Sequence, residues 1–279
     1  MKLGFMLYSL GRTLRDGGIT LPEAFALMKE LGAEGVDVSL GHLGDVSNAE
    51  VKQMVADAGL VTSCYIGGPS LAVTDPTARQ QALESCQRVI DNAAEVGAPV
   101  ALLTVGTMQE SQQRPEARRI IAEGLAELLP HGKDAGVTLT IEDFGSGRSA
   151  YQTGGEVLEC CELAGPEMMI TYDSGNMIMG DEGPVAGLEV MKPRMVHAHA
   201  KDWELLPRSA AEGIQDRSGR RYVGTIVGSG VIDYPAVFAA LRAMQYEGFL
   251  SFEYEGRGDQ IEAARQGMAY LRRGMMAAE

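Results

Sequence analysis

Eight times along the chain, a short run rich in Val, Ile, Leu and Phe gives way to a longer segment with helical periodicity. Strands are expected over residues 3–8, 35–39, 61–66, 100–105, 137–142, 169–173, 195–201 and 249–253. Helices are expected over 21–31, 47–58, 76–96, 115–135, 155–164, 184–191, 235–245 and 259–276. Regular strand–helix alternation calls for a parallel sheet, because each helix carries the chain back across one face and returns it with right-handed sense. Eight such units either close into a barrel or spread as an open sheet. No GxGxxG follows the first run, and 279 residues is an ordinary length for a closed barrel. No linker or low-complexity tract divides the sequence, so a single (β/α)8 barrel domain spanning residues 1–279 is expected.

Local signals agree. Thr20 precedes Leu21-Pro22-Glu23, which places a capping hydroxyl, a proline in the first turn and an acid near the positive end of the helix dipole. Asp75 stands before Pro76 and Asp233 before the helix expected from Pro235. Gly32, Gly59, Gly97 and Gly136 each follow a helical run, where a left-handed residue ends a helix.

The formal net charge is −14, with 24 Lys+Arg against 38 Asp+Glu. That balance repels phosphate backbones and anionic lipid, which argues against a nucleic-acid or membrane partner. No stretch reaches the roughly 18 apolar residues of a membrane span, and the N-terminus reaches a polar turn too early for a signal peptide. A cytoplasmic protein is expected, with Cys64, Cys86, Cys160 and Cys161 reduced and buried.

In such a barrel, chemistry belongs at the C-terminal ends of the strands. The first four runs offer little there: Tyr8, Asp37, Tyr65 and Thr104. The last four read T-L-T-I-E-D-F, M-I-T-Y-D-S-G-N, V-H-A-H-A-K-D-W and L-S-F-E-Y-E-G. Strand side chains alternate between faces. Val196, Ala198 and Ala200 suit the helix-facing side, which sends His197, His199 and Lys201 inward. The same parity sends Thr140 with Glu142, Thr171 with Asp173, and Ser251 with Glu253 and Glu255 into the barrel.

Several carboxylates and two imidazoles therefore converge on one small volume, with Lys201 as the compensating cation. Burying carboxylates without positive charge is costly. A divalent cation relieves the conflict, and three carboxylates with one imidazole form an oxygen-rich site. Ligand hardness puts Mn2+ first, with Mg2+, Co2+ or Zn2+ as alternatives.

The V-H-A-H-A-K-D segment, the Y-D-S-G-N segment and the G-S-G-V-I-D-Y…Y-E-G-F-L-S-F-E-Y-E region resemble the xylose isomerase-like sugar phosphate isomerase/epimerase superfamily of TIM barrels. The likeness covers nearly the whole chain and is strongest from about residue 137 to 256. It implies that Glu142, Asp173, His199 and Glu253 hold one divalent metal. Departures accompany the matches. Ketose 3-epimerases of the superfamily carry a substrate-side His where Asn176 stands, and an Arg where Leu205 stands. The His199-Ala200-Lys201-Asp202 sequence is closer to the inosose dehydratase and phosphosugar epimerase branches. Apurinic endonucleases share the barrel but need more metal-binding histidines than His42, His131, His197 and His199 supply.

The chemistry common to these enzymes is proton removal from a carbon beside a carbonyl. Glu142 and Glu253 are expected as the catalytic acid and base. Lys201, Asn176 and His197 are expected on the substrate side, His197 one pleat deeper as a hydrogen-bonded neighbour of the site. The principal expectation is an isomerase or epimerase acting on a sugar, sugar phosphate or polyol ketone through an enediolate. A dehydratase of the inosose or sugar-acid type, and a non-catalytic barrel subunit, are the alternatives. The partner is a small carbohydrate, and exposed barrel helices are compatible with a homodimer or homotetramer. The connection over 202–232 is expected as a long loop whose Arg217, Arg220 and Arg221 either cover the site or form an exposed charged surface.

Overall fold

A computed structural model of the chain describes residues 1–143 and 147–276. Eight parallel strands close a barrel: β1 (Lys2–Met6), β2 (Gly35–Ser39), β3 (Val61–Gly67), β4 (Val100–Leu103), β5 (Thr138–Glu142), β6 (Met169–Asp173), β7 (Met195–Ala200) and β11 (Phe249–Phe252). Around it run α1 (Gly11–Arg15), α2 (Leu21–Glu30), α3 (Asn48–Asp57), α4 (Pro76–Val96), α5 (Arg114–Ala135), α6 (Gly154–Ala164), α7 (Pro184–Met191), α8 (Tyr234–Ala243) and α9 (Gln260–Met276). Each barrel strand pairs with its neighbours in sequence, and β1 closes the ring on β11 with Gly4 opposite Ser251.

The helices begin where capping chemistry is available. Thr20 and Ser47 each form a reciprocal capping box, with Glu23 and Glu50 three residues on. The Asp75 and Asp233 side chains accept the amides of Ala78 and Ala236. Helices α4 and α5 end on Gly97 and Gly136, whose φ values of 81° and 69° lie in the left-handed region.

Alternation sorts the strand residues as expected. Leu3, Phe5, Val36, Val38, Tyr65, Ala101, Leu103, Leu139, Ile141, Ala198, Leu250 and Phe252 join the main core between strands and helices. The inward set divides in two. Met6, Cys64, Ile66, Val100 and Leu102 form a separate apolar cluster on the β1–β3–β4 side. On the β5–β6–β7–β11 side stand buried Thr140, Thr171, Asp173, His197, His199, Ser251 and Glu253, and Asp37 of β2 faces them. Gly4 is required where the ring closes, because a Cβ there would meet Ser251 Oγ at 2.1 Å.

Two features depart from expectation. Beyond Met6 the chain turns into a short 3-10 helix, Leu7–Leu10, so Tyr8 sits at the rim rather than on a strand. The segment over 202–232 is not a plain loop. It contains a three-stranded antiparallel sheet in the order β8 (Asp202–Leu205), β10 (Arg221–Thr225), β9 (Ile214–Gln215). Its arginines anchor it: Arg217 bonds Gln152 and Glu156, Arg220 bonds Asp216 and Asp181, and Arg221 donates to the Gly213 carbonyl. Asp202 completes the fastening by accepting the amides of Trp203, Gly228, Gly230 and Ile232. Among the described residues no helix is long and apolar enough to cross a membrane, and all four cysteines are free and buried.

Candidate metal centre

The ends of β5, β6 and β7 and the residue after β11 carry Glu142, Asp173, His199 and Glu253 to the mouth of the barrel. The stagger between strands levels them. Glu142 lies opposite Thr171, Asp173 opposite His199, and the Glu253 amide donates to the Ala200 carbonyl at 3.0 Å. One ligand atom from each of the four comes within 4.8 Å of the others. The cluster can therefore hold a metal ion.

Asp173 and Glu253 each bind the protein through one oxygen and have the other buried without a hydrogen bond. Asp173 Oδ1 accepts the amides of Gly175 and Asn176 at 2.6 and 2.9 Å, while Oδ2 is buried with no hydrogen-bond partner. Glu253 Oε1 lies 2.8 Å from Lys201 Nζ, and its buried Oε2 is likewise unpartnered, 3.5 Å from His199 Nδ1. Glu142 Oε1 lies 2.5 Å from the same Nδ1. Buried oxygens without partners are costly. Two of them beside one imidazole nitrogen and a third carboxylate fit a hard divalent ion.

Charge points the same way. Burial pushes the Glu253 carboxyl up, and Asp173 and Glu255 add to this, so it lies well above the usual carboxylate range despite Lys201 and His199. Burial opposes protonation of His199, but Glu142 and Asp37 outweigh it and hold the imidazole well above its ordinary value. Lys201 is also buried, which lowers it, yet Asp173, Glu253 and Glu255 keep it firmly charged. Its ammonium lies 3.4 Å from Asp173, 2.8 Å from Glu253 and 2.9 Å from Glu255.

The other expected residues surround this cluster. Asn176 is buried in the 3-10 turn after β6. It donates to the Asp143 carbonyl at 2.8 Å and accepts from Lys201 at 3.4 Å. His197 is buried one pleat below His199, its Nε2 2.8 Å from Asp37 Oδ2. Glu255 stands at the rim on Lys201. His131 pairs with Asp91 on the outer surface, whereas His42 packs edge-on against Tyr8 at the mouth. Above the cluster opens a cavity of about 470 Å³. Met6, Ile66 and Leu102 line one side and Glu142, Glu253 and Glu255 the other. A groove of about 530 Å³ on the outside of α9 holds none of these groups.

The sequence model of the xylose isomerase-like TIM barrels matches residues 25–274. The chain belongs to that family. Along this xylose isomerase-like barrel, 164 residues are 27% identical to an inosose dehydratase of Histophilus somni, covering 55% of this chain and 54% of that protein. The chain thus spans about half the length of such curated relatives. Among solved structures, the 3-keto-D-glucoside 4-epimerase of E. coli superposes with a TM-score of 0.75 at 20% identity, covering 98% of this chain and 99% of the other. D-psicose 3-epimerase of Clostridium cellulolyticum H10 superposes with a TM-score of 0.79 at 13% identity, covering 99% and 100%. At these identities the structural likeness speaks for the fold.

Two buried acids of this xylose isomerase-like barrel escaped the sequence argument. Asp37, on the second strand, has its carboxylate between His197 and His199 and a third bond from Ser63. Burial pushes it up, but the two imidazoles hold it well below the usual carboxylate range. Its signal was present, since V-D-V-S places an acid on the inward parity between two core valines. Asp143 follows Glu142 and is fully buried, accepting the Asp173 amide at 2.9 Å. Burial, Asp173 and Glu142 push its carboxyl well above the usual range. Strand parity gives no place to an acid directly after an inward one.

Proposed function

We propose that this protein is a divalent-metal-dependent isomerase or epimerase acting on a sugar, sugar phosphate or polyol ketone, with Mn2+ as the preferred ion. The observation that carries the reading is the set Glu142, Asp173, His199 and Glu253, with buried unpartnered oxygens on Asp173 and Glu253 directly beneath a cavity. These four residues would hold the ion. When bound, the ion supplies positive charge beside a carbonyl and its neighbouring hydroxyl, lowering the cost of the enediolate that proton removal creates.

The chain's own groups do the rest. One of Glu142 and Glu253 takes the proton from the carbon beside the carbonyl onto a carboxylate oxygen. The other returns a proton to the opposite face, or to the neighbouring carbon for an isomerisation. Lys201, fixed by three carboxylates, presents its ammonium to a substrate oxygen, and Asn176 holds it in line. The apolar side formed by Met6, Ile66 and Leu102 suits the C–H face of a ring. Three glutamates line the cavity, and Arg12 and Arg15 line the adjoining pocket, which shares Tyr8, His42 and Glu255 with it.

The similarity to inosose dehydratases supports a second reading. The same proton removal followed by departure of a β-hydroxyl as water would make the protein a lyase. Incubation of the Mn2+-loaded protein in D2O with a panel of ketoses and inososes separates the two. The isomerase reading expects deuterium in a product of unchanged formula, whereas the lyase reading expects a product lighter by one water. Glu142→Gln and Glu253→Gln are each expected to abolish deuterium incorporation. If both retain wild-type turnover with metal bound, the assignment of acid and base is wrong.

A further inference from the structure

We infer that Asp37 is a positioning residue for the metal centre: it fixes the His199 ring so that Nδ1, and not Nε2, faces Glu142 and Glu253. The inference rests on the proposed reading that His199 is a ligand, and adds a residue from the far side of the barrel. Asp37 Oδ2 receives the Nε2–H groups of both His197, at 2.8 Å, and His199, at 3.2 Å, while Ser63 Oγ donates to Oδ1 at 2.6 Å. The Asp37 side chain and both imidazoles are almost wholly excluded from solvent. The two rings meet edge to face, with centroids 5.2 Å apart and planes at 89°.

A buried imidazole can rotate about its Cβ–Cγ bond and can carry its proton on either nitrogen. Donation from Nε2 to a fixed carboxylate holds the ring in one orientation and leaves Nδ1, 2.5 Å from Glu142 Oε1, as the nitrogen that an ion in the cluster would meet. Ser63 stops the carboxylate from turning away, and His197 fills the remaining direction around Oδ2. Asp37, His197 and His199 also have the chemistry of a second metal site. Their bonds argue otherwise. Both Asp37 oxygens are occupied, and no atom of the three is among the buried polar atoms lacking a partner. The trio is closed on itself, whereas the cluster above it is open.

The test compares Mn2+ affinity by isothermal titration with the nitrogen coupling of bound Mn2+ seen by pulsed electron paramagnetic resonance. Wild type is expected to take up one ion per chain and to show coupling to a directly bound imidazole nitrogen. Asp37→Asn, of nearly the same shape, is expected to bind about 10- to 100-fold more weakly with an altered or lost nitrogen coupling. Asp37→Glu, which restores a carboxylate, should recover part of the affinity. Should Asp37→Asn not fold, Ser63→Ala keeps the carboxylate but frees it to turn, and a several-fold loss of affinity is expected. Wild-type affinity and coupling in Asp37→Asn, or in Ser63→Ala where that variant stands in, would overturn the positioning role and leave the metal reading intact. A wild-type protein that binds no ion would overturn both.

Discussion

Removing and restoring the cation tests the centre through stability, without knowledge of the substrate. Asp173 Oδ2 and Glu253 Oε2 are buried without a hydrogen bond, 3.4 Å from Lys201 Nζ and 3.5 Å from His199 Nδ1 respectively. A buried oxygen left without a hydrogen bond is costly, and an ion bound here would relieve that cost. An ion that binds only the folded chain stabilises it by about 2.7 kcal/mol at a hundred times its dissociation constant. For chains of comparable length, 1 kcal/mol moves the melting temperature by about 2–4 °C. Protein dialysed against a chelator should thus melt about 5–10 °C higher once Mn2+ is restored in that excess. The assay is thermal unfolding followed by Trp203 and tyrosine fluorescence across a metal titration. The double variant Asp173→Asn, Glu253→Gln removes two of the carboxylates that would hold the ion, so it should gain little from Mn2+. If Mn2+, Mg2+, Co2+ and Zn2+ all leave wild type unmoved, or if the double variant gains as much as wild type, the cluster is not a metal centre.

Metal uptake should also release protons. Burial lowers His199 but Glu142 and Asp37 raise it well above its ordinary value, and burial raises Glu253 as well. A proton on either group competes with the ion at low pH, so affinity should rise with pH, by about tenfold per unit where a single proton is displaced. Calorimetry in buffers of different ionisation enthalpy counts the protons, and pH-independent binding without proton release would contradict the charge assignment. At the barrel seam, Gly4→Ala puts a Cβ 2.1 Å from Ser251 Oγ and should cost about 1–3 kcal/mol in urea unfolding. Ser251→Gly in the same chain should recover part of that loss, and additive effects of the two changes would show that the contact is not what limits closure.

The barrel was legible because it is encoded locally. Strand parity needs only neighbouring residues, and it sorted Val196, Ala198 and Ala200 from His197 and His199 without any tertiary information. The same rule put Glu142, Asp173, His199 and Glu253 inside the barrel together with His197, Lys201 and Glu255, and the family resemblance picked the four out as a set. What escaped depends on distant partners. Asp37 looked isolated because its two histidines lie 160 and 162 positions away. Arg217 and Arg220 resembled an anion-attracting loop because Glu156 and Asp181, which neutralise them, belong to other elements. The sheet over 202–232 was hidden for a related reason. Its strands are short, two to five residues, and are held by Asp202 with its ring of amides and by a small cluster of Trp203, Tyr222 and Met179, none of which shows as a repeat in the sequence.

The apolar cluster on the β1–β3–β4 side gives the barrel two independently adjustable halves. Met6, Ile66 and Leu102 reach the mouth cavity yet none supplies a charge or a metal ligand. Changing their bulk would reshape the cavity while the acidic cluster across the barrel keeps its place. A barrel arranged in this way can exchange one molecule for another during evolution without rebuilding its chemistry. The residues that separate it from relatives acting on differently shaped molecules are then to be sought among its oily side chains, opposite the acids that draw the eye first.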